Sequence, residues 1–266
     1  MSVISRARAL PQHVRFGARA LGFAAYALGT YAVFQATSAP EGTAEDDVRV
    51  RKAMRRFGRD LCTLFGVQAV TRGVPPEGFV PGTDADGKGR IFVVNHRSGF
   101  DIFLTLAKLE GRHVSRADLA KWPVIGLVAR RAGVLFVDRE NRRSAAAVMQ
   151  SMIDHVSQGH GIVIFPEGTT FPGDEVRELK AGAFTVARRT GCEIVPVGVA
   201  YSGAGSAYEE NDTFVEHMQR VSGRPSTRVA MVVGEPFRCE GADSHTLALS
   251  AQKALQSLVY EARAML

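Results

Sequence analysis

From Arg90 onward, short apolar runs rich in β-branched residues alternate with longer stretches whose apolar positions recur every three or four residues. The runs IFVV, GVLFV, GIVIF, EIVPVGVAY and TRVAMVV predict strands. Between them, Phe100 to Leu109, Arg142 to Ser157, Leu179 to Thr190 and Thr246 to Met265 predict helices. Strands that are apolar along their whole length are covered on both faces, as in parallel sheets flanked by helices. The pattern therefore predicts an α/β fold with a mixed, largely parallel central sheet. The segment GAGSAYEEN, Gly203 to Asn211, reads as a surface loop.

The first quarter of the chain has a different pattern. Ala20 to Thr37 carries no charge and follows Arg6, Arg8, Arg15 and Arg19. As a helix it would reach about 27 Å, slightly short of a hydrocarbon core of about 30 Å. Three readings fit: a helix spanning or dipping into a membrane, a helix packed on the soluble domain, or a signal peptide cut near Thr37-Ser38-Ala39. Further on, Val50, Met54, Phe57, Leu61 and Leu64 form one apolar stripe, with Arg49, Arg51, Lys52, Arg55, Arg56 and Arg59 on other faces. Such a helix can lie on anionic headgroups or pack its stripe on a domain. The loop VPPEGFVPGTDADGKG then separates an N-terminal helical membrane-docking module, residues 1–75, from the main domain, residues 76–266.

Composition narrows the class. Of 266 residues, 45% are hydrophobic and 23% charged, which excludes a disordered chain. The net charge of +6 lies wholly within residues 1–75, and the remainder is neutral. That places an anionic surface, membrane lipids above all, against the N-terminal quarter. Nucleic acid is not implied, since neither interleaved aromatics nor a finger motif accompanies the basic residues. Cys62, Cys192 and Cys239 are widely spaced, without a CxxC pair, so they read as reduced thiols rather than a metal site or a disulfide framework.

The chemistry begins at IFVVNHRSGFDIF, residues 91–103. With NHRSG as the turn between a strand and a helix, Asp101 falls in the helix's first turn and His96 can fold back towards it. A carboxylate that accepts from one imidazole nitrogen fixes the tautomer and leaves the other nitrogen basic, as a general base requires. After the next strand, GVLFVDRENRR offers Asp138, Arg139 and Arg142, and an arginine fork at a strand exit suits oxyanions. After another, GIVIFPEGTTF offers Pro166, Glu167, Gly168 and Thr169. Polar clusters at three strand ends predict one shared crevice.

These blocks, in this order, resemble the phospholipid/glycerol acyltransferase family, typified by 1-acyl-sn-glycerol-3-phosphate acyltransferases. NHRSGFD is similar to the family's NHx4D block, GVLFVDRENR to the second, FPEGT to the third and IVPVGV, around Pro196, to the fourth. AKWPVIG and LKAGAF also fall where the family has similar spacers. The resemblance implies an acyltransferase catalytic domain in residues 76–266. In it His96, oriented by Asp101, deprotonates a lysophospholipid hydroxyl that attacks an acyl-CoA or acyl-ACP thioester, without cofactor or metal. The acceptor it implies first is 1-acyl-sn-glycerol 3-phosphate, giving phosphatidic acid. Arg139 would take the acceptor's phosphate, helped by Glu167 and the amides around Gly168 and Thr169. Lys121 is a further candidate for that anion, and Pro196 would shape the acyl or acceptor pocket. The donors imply a membrane-associated enzyme whose site faces the cytoplasm.

One departure bears on the acceptor. Where the phosphatidate-forming branch often continues FPEGT with Arg-Ser, this chain has Thr170 and Phe171. That leaves room for lyso-ornithine lipid or a lysophospholipid with a larger headgroup. A lipid hydrolase is a rival reading, although no GxSxG elbow occurs. A non-catalytic lipid-binding protein is another, and the intact His96 and Asp101 speak against it.

Overall fold

In the computed structural model, which describes residues 11–36, 43–138, 140–239 and 241–266, seven strands form one sheet in the order β1-β7-β6-β2-β5-β3-β4. They are β1 (Val67–Arg72), β2 (Ile91–Val94), β3 (Arg112–Arg116), β4 (Leu135–Val137), β5 (Ile162–Ile164), β6 (Ile194–Tyr201) and β7 (Thr227–Val233). Every neighbouring pair is parallel except β6 with β7. The helices are α1 (Gln12–Ala36), α2 (Ala44–Leu64), α3 (Phe100–Lys108), α4 (Ile125–Arg131), α5 (Arg142–Ser157), α6 (Gly182–Thr190), α7 (Phe214–Gly223) and α8 (Ser244–Ala264).

Alternation along the strands builds two cores. Phe92 and Val94 of β2 point to one face with Val195, Val197, Val199 and Tyr201 of β6, where α1, α2, α3 and α7 cover them. Ile91 and Val93 point to the other, with Ile162 and Ile194, beneath α5, α6 and α8. Both faces are therefore buried, which is why these strands read as continuous apolar runs. The chain leaves β2 for α3 on the first face and leaves β5 for α6 on the second. The carboxyl ends of β2 and β5, adjacent and parallel, thus flank a switch point, the place where α/β sheets open a crevice.

β1 and β3 were not predicted, because VQAVTR and RHVSR place polar or charged residues within edge or near-edge strands. β1 falls within residues 1–75 and yet pairs with β7 through six registered positions. The N-terminal quarter is thereby built into the sheet.

α2 turns Val50, Met54, Phe57 and Leu61 into the core and packs across α3, so its apolar stripe faces the protein. Its first turn carries Asp46 and Asp47, which pair with Arg131 of α4 at 2.5 Å and Arg112 of β3 at 2.9 Å. α1 is held by arginine. Arg15 donates to the Gly223 carbonyl, and Arg19 to those of Ser222 (2.8 Å), Arg224 (2.6 Å) and Pro225 (3.1 Å), capping the exposed carbonyls at the end of α7. Among the described residues no helix is long and apolar enough to cross a membrane. Arg6, Arg8 and the possible cleavage site at Ser38-Ala39 lie outside the described residues.

Candidate active site

β2 ends at Val94, and the next side chain ties its exit to β6. The Asn95 amide donates to the Val199 carbonyl at 2.8 Å and accepts the Val199 N–H at 2.7 Å. This side-chain bridge continues the ladder where the backbone turns away. The turn that follows has an acceptor for every amide. His96 N–H donates to Glu167 (2.8 Å), those of Arg97 and Ser98 to Asp101 Oδ2 (2.7 and 2.8 Å), and Gly99 N–H to His217 Nε2 (3.1 Å). Phe100 N–H reaches the Ser98 hydroxyl at 3.3 Å and Asp101 N–H the Ser98 carbonyl at 3.1 Å. With six consecutive amides satisfied, the turn has one strongly preferred conformation.

His96 Nδ1 stands 2.8 Å from Asp101 Oδ2. An ionised carboxylate only accepts, so Nδ1 carries the proton and Nε2 the lone pair. Phe165 stacks against the imidazole at 4.2 Å and 22°, fixing the ring plane. The His96 side chain is 20% exposed while that of Asp101 is fully buried, so the imidazole meets solvent and its carboxylate partner does not. The second oxygen of Asp101 accepts from the Tyr201 hydroxyl at 2.6 Å. Burial, and then the Asp101 charge, push the Tyr201 phenol well above its ordinary pKa, which keeps it a donor.

Glu167 differs from the role the sequence suggested. Its side chain is fully buried; it pairs with buried Arg97, whose Nη1 lies 2.9 and 3.1 Å from its two oxygens, and accepts the backbone N–H groups of His96 and Arg177. An inaccessible anion with these donors around it is no phosphate ligand. It is a brace, and it joins the exit of β5 to the turn that carries His96. Arg97 extends the brace, donating to the carbonyls of His96, Gly173 and Glu175 at 2.6 to 2.8 Å.

The other expected residues spread more widely. Gly168 adopts φ +83°, which lets the chain turn at the β5 exit beside the Lys180 side chain, and Thr169 is exposed. Phe171 N–H donates to the His96 carbonyl at 3.3 Å, so the departure from the family pattern lies against His96. Lys121 is exposed at the end of a short 3-10 turn, Ala117–Lys121. Pro196 is buried within β6 opposite Val93, where it packs in the sheet interior and not at an opening. Arg139 lies outside the described residues. Its neighbour Asp138 follows β4, on the same edge of the sheet as His96 but beyond β5 and β3.

Residues 76–200 match the family model described as Acyltransferase, and this span holds all four sequence blocks with the paired His96 and Asp101. Over that span the chain is similar to the acyltransferase family. A lyso-ornithine lipid O-acyltransferase of Pseudomonas aeruginosa is 27% identical over 207 residues, 76% of this chain and 80% of that protein. A 1-acyl-sn-glycerol-3-phosphate acyltransferase of Neisseria gonorrhoeae is 27% identical over 113 residues, 42% of this chain and 44% of that protein. The crystal structure of the 1-acyl-sn-glycerophosphate acyltransferase PlsC from Thermotoga maritima superposes with a TM-score of 0.67 over 95% of both chains, at 22% identity, so the two chains share a fold.

Sequence reasoning missed Arg97, Tyr201 and His217. Tyr201 was within reach, since it continues the inward-facing alternation of Val195, Val197 and Val199 at the end of an apolar strand. Arg97 gave the ordinary signal of a surface turn residue, and only its 1% exposure shows otherwise.

Proposed function

We propose that this acyltransferase moves a fatty acyl chain from an acyl-CoA or acyl-ACP thioester to the free hydroxyl of a lysolipid. The observation that carries the reading is the 2.8 Å contact between His96 Nδ1 and buried Asp101, with His96 itself open to the crevice. Nε2 takes the proton of the acceptor hydroxyl as its oxygen bonds to the thioester carbonyl carbon. The tetrahedral adduct then collapses, the C–S bond breaks, and the thiolate recovers the proton from the imidazolium. The Asp101 charge stabilises that imidazolium.

The resemblance supports 1-acyl-sn-glycerol 3-phosphate as acceptor, held through Arg139 and the exposed Lys121. A lyso-ornithine lipid is a second reading. Its supports are Thr170 and Phe171 in place of Arg-Ser, with Phe171 against His96, and the longer match to the Pseudomonas protein. The enzyme would work at the cytoplasmic surface of a membrane, where both donors occur. α1 offers Leu21, Leu28 and Val33 to solvent, beside a groove between α1 and α2 rimmed by Lys52 and Arg56, as an anionic bilayer surface requires.

Purified full-length protein offered each donor with a panel of lysolipids tests this reading, with His96→Ala as control. Transfer to at least one lysolipid, lost in His96→Ala, is expected. No transfer to any acceptor, or an undiminished His96→Ala, overturns it.

A further inference from the structure

The segment that follows the fourth block folds back over the catalytic turn. At its centre is His217 of α7, fully buried. Its Nε2 lies 3.1 Å from the Gly99 amide nitrogen and 3.0 Å from the Ser98 hydroxyl. A backbone N–H can only donate, so Nε2 is the bare nitrogen and Nδ1 carries the proton. Among the described residues Nδ1 is buried without a hydrogen-bond partner, and the nearest carboxylate, Asp212, is 3.9 Å away, beyond hydrogen-bond reach. Leaving a buried donor unmet is costly, so this ring is held for what its other nitrogen does.

The surroundings fix that ring. Tyr208 stacks on it at 3.9 Å and 10°, while the Tyr208 N–H donates to the Arg97 carbonyl at 2.8 Å. Arg220 grips Asp212 at 2.5 and 2.7 Å and donates to the carbonyls of Gly205 and Ala207, pinning the loop that carries Tyr208. The expected surface loop is exposed at Gly203, Ala204 and Glu209 to Asn211, and it turns Ser206 inward, fully buried, to act as a clamp. α7 also approaches the turn so closely that a Cβ on Gly99 would lie 2.6 Å from the Met218 sulfur, so a larger residue there would have to displace that side chain. Ser98 is fully buried under this clamp, so the near-triad of Ser98, His217 and Asp212 presents no nucleophile to a substrate.

We propose that His217 is a positioning residue for acyl transfer. It holds the Ser98–Gly99 peptide so that the Ser98 amide stays on Asp101, and Asp101 stays on His96. This inference rests on the reading of His96 as the base. The clamp comes from outside residues 76–200, the span that matches the family model.

Two polar substitutions separate positioning from packing. The carbonyl of Gln can take the place of Nε2, whereas that of Asn reaches only the place of Nδ1. Expected for His217→Asn is a fall in kcat of about 100-fold with the acceptor KM nearly unchanged, the scale of an ångström-sized misplacement. His217→Gln recovers most of the loss. In His217→Asn the acidic limb of the kcat/KM profile also moves to higher pH, because Asp101 loses an amide donor and its freer charge favours the imidazolium. A packing role would instead lower the melting temperature of both variants alike and leave the limb in place. Should His217→Asn not fold, Ser98→Ala, which deletes the hydroxyl on Nε2, takes its place with the same expected direction. Wild type and His96→Ala run alongside. If wild type is active, His96→Ala is dead, and His217→Asn matches wild type in kcat and limb, the inference falls while the function stands. If wild type transfers nothing, the function itself falls.

Discussion

The turn that carries His96 and Asp101 and the N-terminal helix pair both use arginine, but in opposite ways. At the turn, Arg97 is buried and paired with a buried carboxylate, and nearly every polar atom has one fixed partner. In α1 and α2, arginines reach carbonyls or line a groove rim, while Leu21, at 75% exposure, and Val33, at 62%, face solvent. The first region spends stability on desolvated charge to hold one geometry. The second keeps apolar and cationic surface available. The turn is thus held in one geometry, while the helix pair leaves apolar side chains in solvent beside a cationic rim.

The sharpest way to break this contrast is Asp101→Asn. The amide can present an N–H to His96 and favour the wrong tautomer, so acyl transfer should fall about 10⁴-fold while the fold survives. Steady-state assays and circular dichroism check both halves. Next comes Glu167→Gln, which leaves Arg97 buried without its counter-charge. It should cost about 3 kcal/mol in denaturant unfolding and lower kcat through His96, which hangs from the same carboxylate. If stability is unchanged, the brace is not where the rigidity lies.

The helix pair should respond differently. Leu21→Asp with Leu28→Asp should leave the melting temperature and the rate on detergent-dispersed lysolipid nearly unchanged, yet lower binding to anionic vesicles about tenfold, read by cosedimentation. Equal loss in both assays would erase the distinction between the regions. Smaller again is Tyr201→Phe, which removes one neutral donor from Asp101. About 1 kcal/mol of stability should go, with a modest fall in kcat.

The smallest effect concerns pH. Burial holds His113 and His217 neutral, with pKa values lowered to about 4 from an ordinary value of about 6.5. A histidine depressed on folding adds stability that is complete above the unfolded value and is lost as pH falls through the folded one. The melting temperature should be flat above about pH 6.5 and decline by several degrees towards pH 4.5. Scanning calorimetry across that window checks it, and a flat response would mean that these rings are not held neutral.

The same contrast explains what could be read from sequence. The strands that flank the site, β2, β5 and β6, are buried on both faces and announce themselves as apolar runs. His96 and Asp101 were legible because they sit at a strand exit and in a helix's first turn, positions that local pattern defines. Glu167 was found but misread, since its partner Arg97 lies 70 positions away and sequence shows no burial. His217 was invisible for a similar reason, being 118 positions from the Gly99 amide that it accepts. For α1, the uncharged run Ala20 to Thr37 fitted both membrane and protein. What binds it to the protein is the packing of Phe23, Tyr26, Ala27 and Phe34 on the core, an apolar face that a membrane would accept equally, together with carbonyls at the end of α7 that no side-chain pattern encodes.

The central claim is that a saturated turn holds His96 in one tautomer, with Nε2 bare. Nitrogen-15 NMR of histidine-labelled protein at neutral pH measures this directly. A protonated Nδ1 and an unprotonated Nε2 for His96, lost in Asp101→Asn, is the predicted result. A proton resident on Nε2, or a mixture of tautomers that Asp101→Asn does not alter, would contradict it.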